Sequence, residues 1–323
     1  MNDVSIGAPT GKIAEAKISN SGGTPLDRDT FIITVYCLVD EECKKLRAVY
    51  RVRHAGFTPA LSDVEVLTME ICGEYFKQQT DKDLFGYFVQ HYRHFFPALS
   101  ERSVFVRQAA NLWQFKAALQ RRLTFVSGQA HDPVQPIDTL PLPVCTYTRA
   151  RRDRCFAGVA TYSYCDAKDL HDYGFKLGLR ISRCGMIMHF PLLAARPHDI
   201  NHLAMLIEDF RGIAPADQGF IALQLQQQLA EEQGVSVVTP RKKNMKTSLY
   251  PTPLVKTCAR WRKLIETVGS HLTERFGVGR IRVHDLWHYQ HRLIRKVLAH
   301  TVAVFLNLKL GRQPLDLDGL VTS

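Results

Sequence analysis

The hydrophobic grammar of the chain changes at about Gly128, and this change constrains the fold more than any other feature. Before it, from about Asp27 to Leu123, apolar residues recur at helical spacing: Phe31, Val35, Leu38 and Val39 in a first element, then Val66, Leu67, Met69 and Ile71 in a second. The second opens with Ser62-Asp63-Val64-Glu65, a capping box that satisfies two of the amides a helix start leaves free. A third element follows Thr80, carries Leu84, Tyr87, Phe88 and Tyr92, and stops at Pro97. A fourth runs from near Ser100 through Phe105, Ala109, Leu112 and Leu119. After Gly128 short β-rich runs, broken by turn residues, alternate with helical stretches, which is the pattern of an α/β sheet.

Expected strands are 136–144, 174–182, 186–194, a short one just before Asp217, and 235–239, with helices over 199–210 and 220–233. The first three strands lack crossover helices between them and read as an antiparallel meander. This order resembles the ribonuclease-H-like fold, a mixed sheet with flanking helices, here preceded by a small all-helical domain. The chain is therefore divided into a Gly/Ser-rich flexible leader (1–24), a helical domain (25–126), an α/β domain with basic C-terminal helices (127–310) and a tail (311–323).

Charge narrows the partners. The chain has a formal net charge of +11, and the segment from Arg241 to Lys296 holds 14 Lys and Arg against Glu266, Glu274 and Asp285, so its surplus equals that of the whole chain. A surplus confined to one stretch points to a surface that tracks phosphates, since phosphate contacts dominate nucleic-acid affinity. The N-terminal residues contain no apolar stretch of signal-peptide length, and His300 and Lys309 interrupt the apolar run 297–310, so no membrane segment is expected. The eight cysteines include no C-x-x-C pair and read as reduced cytoplasmic thiols.

Three acids stand where such a fold would place functional side chains. Asp138 lies in the first strand among Ile137, Leu140 and Leu142, so it must be paired, protonated or bound to a cation to offset its desolvation. Asp217 ends the fourth strand in Ala216-Asp217-Gln218-Gly219-Phe220, where helix capping is the plain alternative. Glu266 sits one residue beyond Ile265 on a helix striped by Trp261, Leu264, Ile265, Val268 and Leu272, with Arg262 and Lys263 one turn earlier as structural ion-pair partners.

The segments Ile137-Asp138-Thr139-Leu140-Pro141-Leu142-Pro143-Val144-Cys145, Ala216-Asp217-Gln218-Gly219-Phe220 and Arg262-Lys263-Leu264-Ile265-Glu266-Thr267 resemble, in order, the three acidic motifs of DDE transposases of bacterial insertion sequences. The similarity is greatest to the nine-eighty-two group. It extends to the helical front end through Leu61-Ser62-Asp63-Val64-Glu65-Val66 and Phe95-Phe96-Pro97. The resemblance implies DNA cleavage and strand transfer by in-line attack at phosphorus. It implies two Mg²⁺ ions, with Mn²⁺ as a substitute, held by Asp138, Asp217 and Glu266 as catalytic residues. The implied partners are double-stranded DNA, as terminal inverted repeats and target, and further copies of the chain in a homodimer or higher oligomer. Arg262, Lys263, Arg260, Lys242, Lys243, Arg280 and Arg282 are the expected DNA contacts, and the helical domain is the expected module for recognising element ends.

Two other readings stay open: a transposase-derived DNA-binding protein without catalysis, and a metal-dependent nuclease of the same fold that never joins strands. His284, His288 and His291, at helical spacing, are expected to face solvent or phosphate. Asp199 is expected to cap the helix that follows it, and by the resemblance to lie with His198 at the rim of the active site.

Overall fold

A computed structural model describes residues 24–50, 58–165, 170–242, 245 and 249–322, so all but the last residue of the expected leader lies outside the described residues. Five helices form the front of the chain: α1 (Arg28–Arg47), α2 (Asp63–Tyr75), α3 (Asp81–His91), α4 (Arg102–Asn111) and α5 (Trp113–Val126). Their starts follow local chemistry. The Asp27 carboxylate accepts the Thr30 amide at α1, Thr80 accepts that of Asp83 at α3, and at α2 both halves of the Ser62–Glu65 capping box are made.

The α/β part contains β1 (Ile137–Thr146), a single turn α6 (Tyr147–Ala150), β2 (Thr161–Cys165), β3 (Leu170–Ile181), β4 (Ile187–His189), β5 (Leu192–Ala194), a one-turn helix α7 (Leu203–Leu206), β6 (Gly212–Pro215), α8 (Leu223–Gln228), β7 (Val235–Val238), and the long helices α9 (Thr252–Ser270) and α10 (Leu286–Lys309). β3 is the spine. Antiparallel β1 lies on one side of it, and β2, β5 and β4 pair in turn along the other. β6 and β7 pair in parallel, and β6 meets the chain just before β1 through a parallel bridge between Ile213 and Val134. Within the β1–β3 ladder Gly174 is required, because a Cβ there would lie 2.2 Å from the Leu142 carbonyl oxygen.

Apolar packing builds two layers around this sheet. Ile137, on one face, joins Leu203, Leu206, Phe220, Val235 and Val237 under α7 and α8. Leu142, Leu177 and Leu179, on the other, join a larger core that runs without a break through α9, α10 and the five front helices. α10 packs on α5 and α2, and its buried Val297, Leu298, Val302 and Phe305 each contribute roughly 1.5–3 kcal/mol by leaving water.

Several expectations are corrected by this arrangement. β2 was not anticipated, although Thr-Tyr-Ser-Tyr-Cys has the right residue types for a strand. The expected helix over 199–210 is a 3₁₀ turn (Asp199–His202) followed by the single turn α7, and Asp199 makes no capping bond there. The expected helix over 220–233 breaks into a 3₁₀ turn, α8 and a π-helical turn. The basic segment is not one solvent-facing surface either, because Arg295 and Lys296 are buried and pair with Glu74, while Arg292 pairs with Asp81. His291 does not face solvent. It is buried beside Lys116, with its Nδ1 2.9 Å from the ammonium.

Candidate active site

Asp138 is the second residue of β1, opposite Leu179 of β3, and strand alternation turns it to the face covered by α9. Parallel β6 runs beside the start of β1. Continuing the Ile213–Val134 register by four residues brings Asp217, just past β6, alongside Asp138. Asp217 also caps its own 3₁₀ turn, accepting the Gly219 amide at 2.7 Å, so the structural role foreseen for it coexists with its place in the cluster. Asp199 approaches from the β5–α7 connection. Its carboxylate accepts the Thr139 hydroxyl and the Lys176 ammonium, each at 2.8 Å, and a Cβ added at Gly219 would touch both it and Asp217.

Burial raises the Asp138 carboxyl from its ordinary 3.8 to about 7, helped by Asp217 and Asp199 and opposed by the Thr139 amide and the Arg262 guanidinium. α9 supplies Arg262 and, one turn on, Glu266, whose carboxylate is 62% exposed and lies 3.6 Å from the guanidinium. Asp138 and Glu266 face a shared cavity of about 630 Å³ between β1 and α9, with Arg280 on its rim and Asp172 and Glu274 further along.

Residues 128–285 match the family model described as a transposase DDE domain. Over that segment, just under half of its length, the chain is similar to transposase DDE domains. The matched segment begins just before β1, ends just before α10 and includes Asp138, Asp217 and Glu266. No curated protein and no solved structure matches the chain.

The site residues expected from the sequence fall into three groups. Asp138, Glu266 and Arg280 share the cavity, while Asp217 and Arg262 act electrostatically on Asp138. Arg260, Lys263 and Lys242 are exposed, and Lys243 lies outside the described residues. Arg282 is also exposed but lines a different cavity, of about 840 Å³, together with Arg102, Arg107, Arg292 and Trp287. Lys176 was overlooked, and Asp199 was read chiefly as a cap. An apolar strand interrupted by lysine was the available signal for the former.

The donor set suits a hard divalent cation. Asp138, Asp217 and Asp199 offer only carboxylate oxygens, with Lys176 paired to Asp199 and the Arg262 guanidinium favouring the ionised form of Asp138. Among the described residues no three His, Cys, Asp or Glu side chains are placed together so that they could hold a metal ion as they stand. Glu266 lines the same cavity as Asp138 and is paired there with Arg262. No described helix is long and apolar enough to cross a membrane.

Proposed function

We propose that the protein is the transposase of a bacterial insertion sequence, similar to the nine-eighty-two group, that cleaves DNA at the element ends and joins them to a target. The observation that carries this reading is the electrostatic proximity of Asp217, just past β6, to Asp138 in β1, which faces a cavity whose other wall presents Glu266, within the segment similar to the DDE domain. Strand order supports a ribonuclease-H-like architecture: β3 antiparallel to β1, with β6 and β7 parallel to one another on the far side of β1.

Asp138, Asp217 and Glu266 would hold two Mg²⁺ ions, or Mn²⁺ in their place, which when bound activate a water or a 3′-hydroxyl and stabilise the leaving oxygen. The protein's own groups do the rest. Arg280 on the cavity rim, with Arg260, Lys263, Lys242, Lys243 and Arg282 beyond it, would hold the phosphates of double-stranded DNA, and Arg262 would pass from Glu266 to the scissile phosphate as DNA enters. Lys176 and Thr139 fix Asp199 beside the other acids and keep the cluster from spreading. The helical region 25–126 would read the terminal inverted repeats, with α4 and its Arg102 and Arg107 available to a groove, and two or more copies would pair the ends. Such an enzyme works in the cytoplasm, where its DNA is.

The test uses purified protein, labelled element ends and Mg²⁺ or Mn²⁺, with cut and joined products measured separately. Both products should form. Cleavage without joining would identify a nuclease, and end binding without either product would identify a DNA-binding protein that has lost catalysis.

A further inference from the structure

The segment after β1, Tyr147-Thr148-Arg149-Ala150-Arg151-Arg152-Asp153-Arg154, carries four arginines in six positions and lies outside the basic stretch 241–296. All four, Arg149, Arg151, Arg152 and Arg154, are exposed, and none makes an ion pair among the described residues. They are held outward by the fold. Ala150 and Phe156 are buried on either side of the segment, and the Phe156 ring meets Phe175 and Tyr289 edge-on. The Asp153 and Arg152 amides close turns back onto Ala150 and Arg149. Asp153, the single acid, accepts the Cys155 amide rather than a guanidinium.

Aromatic rings lie beside these arginines. Tyr147 is 53% exposed and sits between Tyr162 and His171, at ring separations of 5.4 and 5.5 Å, while Tyr162 is itself 42% exposed and rests on the anchored Tyr173. Four like charges fixed close together repel unless a polyanion lies across them, and exposed rings supported from beneath offer π faces. In a duplex the base faces are stacked on one another, so these rings find partners only in unpaired DNA. Guanidinium groups for phosphates and aromatic platforms for bases are together the requirement for binding a single strand.

We infer that Tyr147 and Tyr162, with Arg149, Arg151, Arg152 and Arg154, form a docking surface for single-stranded DNA. The inference rests on the reading of this protein as a DNA-acting enzyme, and it places the docking surface at the far end of β1 from the acids. Eight strand residues separate Asp138 from Thr146, a span of about 26 Å at roughly 3.3 Å per residue. That length corresponds to about eight stacked nucleotides. The surface is thus placed to hold a strand opened beside the cleavage point while the scissile phosphate lies in the acid cavity.

Binding is measured by fluorescence anisotropy in EDTA, so no cleavage enters, using a labelled oligothymidine of about 12 nucleotides and a duplex of equal phosphate number. The Tyr147→Ala/Tyr162→Ala variant should lose at least tenfold in single-strand affinity and stay within twofold for duplex, and Tyr147→Phe/Tyr162→Phe should recover single-strand binding because the ring faces remain. Neutralising all four arginines to Gln should weaken single-strand binding and lower its salt dependence by at least two units. Single-strand affinity unchanged in both the alanine and the glutamine variants would overturn the inference while leaving duplex binding, and the proposed function, intact. A wild-type protein that binds neither form would overturn both.

Discussion

Two clusters of charged side chains in this protein obey opposite rules. Between α2, α3, α5 and α10, Glu70, Glu74 and Asp81 are matched by Lys116, Arg295, Lys296 and Arg292: Arg295 donates to Glu74 at 2.6 Å and to Asp81 at 2.8 Å, and Lys296 donates to Glu74 at 2.8 Å. Burial pushes the Glu70 carboxyl up and the Lys116 ammonium down to about 8, and it drives His291 well below its ordinary range and keeps that ring neutral. At the sheet edge, by contrast, Asp138, Asp217 and Asp199 face one another with fewer cations among them. A network whose charges find opposite partners inside the protein has no need of a ligand and holds helices together. A cluster that leaves its own charge uncompensated is poised for something that arrives from outside.

The comparison is broken or sharpened first at Asp138. Asp138→Asn keeps the size of the side chain but removes the anion, so cleavage and joining should fall by about 10³-fold or more, about 4 kcal/mol in barrier, while end binding stays within threefold. Joining at the wild-type rate would remove Asp138 from the chemistry. Next, Glu74→Gln leaves Arg295 and Lys296 buried without their carboxylate. The expected loss is about 3–4 kcal/mol of unfolding free energy in a denaturant titration, and a loss below about 1 kcal/mol would show that water reaches the network.

A third measurement follows the pH dependence of stability in EDTA. Because the folded-state pKa of Asp138 is about 7, above its ordinary 3.8, the folded chain holds this proton more tightly than the unfolded chain does. The stability linked to it is fully present below about pH 4 and is lost as pH rises through 7. Asp138→Asn should therefore be more stable than wild type by up to about 4 kcal/mol at pH 8 and gain little at pH 4, as read from paired denaturant curves. Equal curves at both values would mean the acids do not strain the fold. The smallest effect is expected at the rim, where Arg280→Gln should weaken duplex binding about two- to threefold and lower its salt slope by about one unit.

Much of this organisation is legible in the linear sequence because it is local. The Ser62–Glu65 capping box follows from residue types a few positions apart, and the antiparallel pairing of the first and second expected strands follows from the lack of a crossover helix between them. Asp138 stands out because an acid in an apolar strand carries a desolvation cost whatever its neighbours. The short helices around Asp199 and Phe220 were misread because apolar spacing there serves packing under the sheet rather than continuous helix. Asp199 was read as a cap because a carboxylate before a helix fits that role equally well, and only the approach of Thr139 and Lys176 reveals the other.

Sequence alone determined the helical front, the sheet that follows it, and the order and spacing of the three acids. Which charges are free was decided only by the tertiary structure. Arg292, Arg295 and Lys296 are indistinguishable in one dimension from Arg280 and Arg282, yet the first three are drawn inward by acids on α2 and α3, Glu74 and Arg295 being 221 positions apart, whereas the last two remain at the surface. Net charge sums over a chain, but desolvation and pairing act between neighbours in space, and those neighbours exist only once the helices have packed.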